Sequence, residues 1–146
     1  MKLFLSSVFA ILVGMAMYAG SFSSGKIFYS SINYQKPITI SVDFINTFTW
    51  MGMTCTDHVT GTVTLEYDGL NFTSVISSKL THHISCKSGK GGDVNGTVAK
   101  MVFDSKAHMF TDVEFDQTTD EDVNKLITTS DFKTAFLSSV NSQLKF

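Results

Sequence analysis

Arginine does not occur in this chain, and all 11 of its basic residues are lysines. Acids number 13, which leaves a formal net charge of −2 at pH 7. Nucleic-acid binding needs a basic face, and base-edge readout favours the arginine fork. A chain with fewer bases than acids and no arginine offers neither, so that class of function is excluded. Cofactor signatures are also missing. The run Ser88-Gly89-Lys90-Gly91-Gly92 lacks phosphate-loop spacing, and no helical pattern follows it. It reads as a flexible hairpin loop. The many serines include none in a Gly-x-Ser-x-Gly setting. Proline and tryptophan occur once each, as Pro37 and Trp50, and cysteine twice. No internal repeat and no low-complexity tract is present.

One long uncharged apolar run exists, and it comes first. Met1-Lys2 gives a positive start, and Leu3 to Gly20 carries no charge. Ala19 and Ser21 then place small residues three and one positions before a cut after Ser21. That layout predicts a signal peptide over residues 1–21 and a single β-rich domain with C-terminal helices over 22–146. The rival reading is an uncleaved anchor, since a spanning helix needs about 20 apolar residues. Ser6 and Ser7 weaken it. Membrane contact is expected only through this segment, and only if it stays attached. Cleavage removes Lys2 and leaves about 125 residues, one domain's worth. The expected location is secreted or periplasmic, where two cysteines pair.

Period-two patterns fill residues 26–115. Lys26 to Ile32 is a short candidate strand. Ile38, Ile40, Val42, Phe44, Phe48 and Trp50 then alternate with mostly polar residues, the signature of a strand with one buried face. Pro37 stands at its start, where a missing donor does little harm. Cys55, Val59, Val63, Leu65 and Tyr67 share one parity; Phe72, Ile76, Leu80, Ile84 and Cys86 share the other. Asp68-Gly69 between them signals a hairpin. Pairing Asp68 with Thr73 across a four-residue loop sets Cys55 opposite Cys86 and superposes the apolar faces. A two-residue turn sets Cys55 opposite His82 instead, too far for bridging without a bulge. The wider loop and a Cys55–Cys86 disulfide are therefore expected. Strands over 97–103 and 108–115 follow. The latter carries Met109, Val113 and Phe115 on one face and His108, Asp112 and Glu114 on the other.

The period then changes. Thr118-x-x-Glu121 reads as a capping box, with Asp120, Glu121 and Asp122 suited to a helix N-terminus. Val123, Leu126 and Ile127 form a short stripe. Ser130 is placed to cap a second helix with Phe132, Ala135, Phe136, Val140 and Leu144 on one face. The expected class is α+β: about six strands in a mostly antiparallel, curved, meander-like sheet, with one or two C-terminal helices on its apolar face.

The sharpest chemical constellation is Cys55-x-x-His58 with His83-x-x-Cys86 on paired strands. A zinc site on all four is disfavoured by parity, because residues three apart on a strand point to opposite faces. Oxidation of the cysteines removes the thiolates as well. His58 and His83 alone remain weak metal candidates on the polar face, and no cofactor is expected. The acids from Asp112 to Asp122 could offer oxygens to calcium, but they match no EF-hand loop. Asn71-Phe72-Thr73 and Asn95-Gly96-Thr97 are glycosylation sequons, relevant in a eukaryote and expected in loops. The aromatic segment ending in Trp50, Met51 and Met53 is the candidate binding patch.

These readings give an exported, disulfide-containing small binding or interaction protein without catalytic activity or catalytic residues, its partner unidentified. The alternative is an extracytoplasmic carrier that holds an apolar, lipid-like ligand between sheet and helices. A metal-binding protein or hydrolase comes last. An internal cavity at Trp50 favours the carrier, and an exposed patch of Trp50, Met51 and Met53 favours a partner surface.

Overall fold

The computed structural model describes residues 36–145. The expected signal peptide and the expected short strand over 26–32 lie outside the described residues. Three long antiparallel strands lead: β1 (Lys36–Trp50), β2 (Met53–Tyr67) and β3 (Phe72–Cys86). They are followed by β4 (Gly91–Gly96), β5 (Val98–Asp104), β6 (Met109–Phe115), α1 (Glu121–Ile127) and α2 (Ser130–Asn141). β1-β2-β3-β4 form one sheet and β5-β6 a second ladder. The protein is thus mostly antiparallel β with two C-terminal helices, as the alternation and the change of period imply.

Tight turns set the register. Trp50 pairs with Met53 across Met51-Gly52, whose φ values are 47° and 74°. Two consecutive positive φ angles give the primed hairpin turn that suits strand twist. Glycine accepts this at little cost, whereas methionine is held there against its preference. Cys55 does stand opposite Cys86, and the two are disulfide-bonded. The loop that achieves this begins one residue earlier than expected, because Tyr67 pairs with Phe72. Register shifts between Thr64 and Tyr67 then restore the pairing that matches the cysteines. The bulges fall on β3 and turn Ile76 outward, so it is 51% exposed rather than part of the apolar face.

Gly61 marks a close backbone approach between β2 and β3. It faces the core midway along β2, opposite Val42 and Leu80, with φ 154°. A Cβ there would lie 2.0 Å from the Lys79 carbonyl oxygen, so no other residue fits.

Four local expectations are corrected. The glycine-rich stretch supplies strand β4, since Gly91 pairs with Ser85 and Gly96 with Leu80. Gly91 suits this place because a Cβ would meet the Ile84 carbonyl at 2.1 Å. In β6 a register shift opposite Val102 and Phe103 turns Phe110 inward, while Met109 is exposed. Asp120, not Thr118, caps α1, accepting from the amides of Asp122 and Val123. Thr129, not Ser130, caps α2, accepting from Phe132.

The helices bury the expected stripes: Val123, Leu126 and Ile127 from α1, and Phe132, Phe136 and Val140 from α2. α2 also joins two strand edges. Ser139 Oγ accepts from Asp43 N–H and donates to Asp43 C=O, and Gln143 bonds both backbone groups of Ser41. On the other side Asn141 accepts from Phe110 N–H and donates to Phe110 C=O, at 2.8 and 2.9 Å. Ser78 of β3 likewise bonds both backbone groups of Val98, which joins the four-stranded sheet to β5. The circuit β1-β2-β3-β5-β6-α2 therefore closes around one core.

Candidate functional site

Three groups of chemically distinctive side chains lie on the two faces of the long sheet. The first is buried. Asp57 belongs to the core-facing parity of β2 and His82 to that of β3, and they are diagonal neighbours, two positions apart in register. Asp57 is 0% and His82 1% exposed, and Oδ2 of Asp57 lies 2.7 Å from Nδ1 of His82. The imidazole stacks on Phe132, with centroids 5.7 Å apart. A Cβ at Gly96 would approach His82 Nε2 to 3.2 Å, so the glycine of the second sequon makes room for this ring. Oδ1 of Asp57 is buried with no hydrogen-bond partner among the described residues. A carboxylate orienting an imidazole is a familiar catalytic unit. Here both members are buried. Parity carried a signal for this pair, because each residue shares the parity of core positions on its own strand, Val59 and Val63 for Asp57 and Leu80 for His82.

The second group is on the outer face. His58 of β2 faces His83 of β3, with ring centroids 6.1 Å apart. Asp43 Oδ1 lies 2.8 Å from His58 Nε2, and Asp93 Oδ1 lies 2.8 Å from His83 Nδ1. All four are substantially exposed. Cys55 and Cys86 lie on the opposite face, bonded to each other, so the four-ligand arrangement of cysteines and histidines does not form.

The third group is a cleft of about 310 Å³ at the disulfide end of the sheet, between its apolar face and α1. Phe48, Trp50, Ile84 and Val94 line the sheet side, and Val123 and Leu126 the helix side. Trp50 Nε1 donates to Asp122 Oδ2 at 2.8 Å, which ties the hairpin end to the first turn of α1. Lys90 places Nζ 5.9 Å from the Trp50 ring centroid. The candidate patch is therefore divided. Trp50 lines the cleft, Met53 is half-buried, and Met51 stands out at the turn, 81% exposed.

The acids downstream have structural partners. Asp112 accepts from the Val113 amide and pairs with Lys133, and both hold its carboxyl below the usual aspartate range. Asp116 accepts from Thr97, and Asp122 also pairs with Lys125. No three His, Cys, Asp or Glu side chains among the described residues form a metal-holding group. Of the sequons, Asn71 lies in the β2–β3 turn, as expected. Asn95 lies within β4 rather than in a loop, with its Oδ1 accepting from Thr81 at 3.4 Å.

Comparison with known proteins yields no match to any family model, curated protein or solved structure. The site is therefore read from its own chemistry. The disulfide fits an exported small protein, because such bonds persist in oxidising compartments.

Proposed function

We propose that this is an exported, non-catalytic binding protein, and that its ligand is a small amphiphile seated in the cleft beside Trp50. The observation that carries the reading is the cleft itself. Its volume of about 310 Å³ falls at the lower end of the range of small-molecule sites. Its walls are aromatic and aliphatic, which suits an apolar body. The rim selects the head group. Of the three carboxylates at the rim, Asp120 is engaged in capping α1, Asp122 by Trp50 and Lys125, and Asp93 by His83. The Lys90 ammonium forms no ion pair among the described residues. It can meet an anionic head without breaking an existing contact. The burial of Asp57 and His82 supports binding over catalysis.

Trp50 is the only tryptophan, so its fluorescence reports directly on the cleft. Dodecanoate is expected to shift Trp50 emission saturably, and dodecylamine to do so more weakly. Lys90→Glu should reverse that preference, and Val94→Phe should fill the cleft and weaken both. If neither amphiphile moves the emission of the folded protein, the cleft reading fails. A protein partner is then the better account, and one observation favours it specifically. Met51 is exposed and held at φ 47° at the hairpin tip. Native mass spectrometry of the protein from its source separates a bound small molecule from a bound chain.

A further inference from the structure

We propose that the outer face of the sheet carries a site for a divalent transition-metal ion, with His58 and His83 as its two protein ligands. Opposed residues of adjacent antiparallel strands project side by side from the same face. His58 and His83 are such a pair, and their ring centroids are 6.1 Å apart. A nitrogen at about 2.0–2.1 Å from the ion on each ring would let one ion bridge the two imidazoles.

What distinguishes this pair from two solvated histidines is the second group on each ring. Asp43 engages Nε2 of His58 and Asp93 engages Nδ1 of His83, both at 2.8 Å. A ligating histidine commonly gives its other ring N–H to a carboxylate, which fixes the tautomer and raises the basicity of the coordinating nitrogen. In this arrangement Nδ1 of His58 and Nε2 of His83 are the coordinating atoms. The hydroxyl of Thr60, 3.5 Å from His83 Nε2, is the group the ion displaces. The four side chains come from four different strands: Asp43 from β1, His58 from β2, His83 from β3 and Asp93 from β4. The sheet therefore holds the carboxylate–imidazole–imidazole–carboxylate row in register without help from a loop.

Two imidazoles select the kind of ion. Nitrogen donors favour copper, nickel and zinc, whereas magnesium and calcium take oxygen. Solvent completes the coordination on this exposed face. The two imidazoles do not line the cleft, and Asp93 alone borders both.

The test titrates the full chain, freed of metal by chelation, with Cu(II) and Zn(II). One saturable equivalent is expected for each ion, with copper the tighter. Copper electron paramagnetic resonance should show hyperfine coupling to two imidazole nitrogens. His58→Gln and His83→Gln should each remove one of these nitrogens, and the double variant should lose the site. His108→Gln should leave it intact. Asp43→Asn should weaken binding by about 10–100-fold while both nitrogens remain, the mark of a positioning residue. Zn(II)-induced amide shifts centred on His58 and His83 in the unaltered protein give a readout that needs no variant. Absence of a saturable equivalent, amide shifts centred elsewhere, or binding that survives in the double variant would overturn the proposal.

Discussion

A buried polar pair concentrates stability on very few atoms. Asp57 and His82 are almost wholly removed from water, and each is the other's hydrogen-bond partner. Removing one leaves the other desolvated and unpaired, which costs far more than the intact bond contributes. His82→Ala is expected to destabilise the fold by about 3–5 kcal/mol, including the space it leaves beside Phe132. Replacing both, as Asp57→Val with His82→Leu, should cost less than the two single changes added together. Urea denaturation of the four proteins measures this. Equal additivity would mean that the pair is not coupled. Asp68 acts differently. It sits half-buried in the β2–β3 turn, and the amides of Asn71 and Leu70 hold its carboxyl below the usual aspartate range. In the unfolded chain it titrates at about 4. Its contribution is therefore present in full above about pH 4 and is lost as pH falls through the lower, folded value. The stability gap between the protein and Asp68→Asn should shrink on acidification through that window. A gap that widens there would contradict the turn's role.

At the scale of strands and helices, the disulfide and the hairpin turns fix one register. The cysteines are 31 residues apart, and closing a loop of that length contributes about 3–4 kcal/mol in the chain-entropy model. Cys55→Ser with Cys86→Ser should lower the unfolding free energy by about that amount, read from denaturant midpoint and slope together, the slope rising because the uncrosslinked unfolded chain exposes more surface. The pairing of Cys55 with Cys86 was legible in the sequence from bridging geometry and parity, whereas the turn, with Tyr67 opposite Phe72, reaches it only through the bulges on β3. The helical stripes of Val123, Leu126, Phe132, Phe136 and Val140 were legible for the same reason, since several spacings concur. What escaped were departures from periodicity. The bulges beside Ile76 and Phe110 change which residues face inward, and nothing in the local alternation announces them. β4 escaped because glycine weakens a strand pattern, while close backbone approach by β3 favours it. At the candidate site, His58 and His83 could be placed opposite each other from register alone. Asp43 and Asp93 could not, because their partners are set by strands whose pairing was not assigned. Asp57 and His82 were passed over because polar residues are rarely read as core.

For the whole molecule, the decisive question is how two separate ladders become one body. β1 is an edge strand, and such edges invite pairing with another chain. Pro37 blunts its start, and at its middle the backbone groups of Ser41 and Asp43 are met by side chains of α2 and the turn that follows it. Three polar side chains of that helix and its C-terminal turn meet the danger directly. Ser139 and Gln143 satisfy backbone groups of β1, and Asn141 satisfies those of β6. Phe132, Phe136 and Val140 meanwhile bury the apolar face of α2 in the core. The helix is thus both the lid of the core and the cover of two sheet edges. Apolar packing alone would keep α2 docked when its polar contacts are removed. Asn141→Ala should then cost about 1–3 kcal/mol through the unpaired groups of Phe110, with amide exchange accelerated at Phe110 itself. Ser139→Ala with Gln143→Ala should leave the far-ultraviolet spectrum unchanged and uncover the β1 edge at Ser41 and Asp43. Self-association that rises with concentration, measured by light scattering against the unaltered chain, is the expected consequence. An unchanged mass at all concentrations would show that the edge is guarded by the shape and charge of β1 and not by the helix.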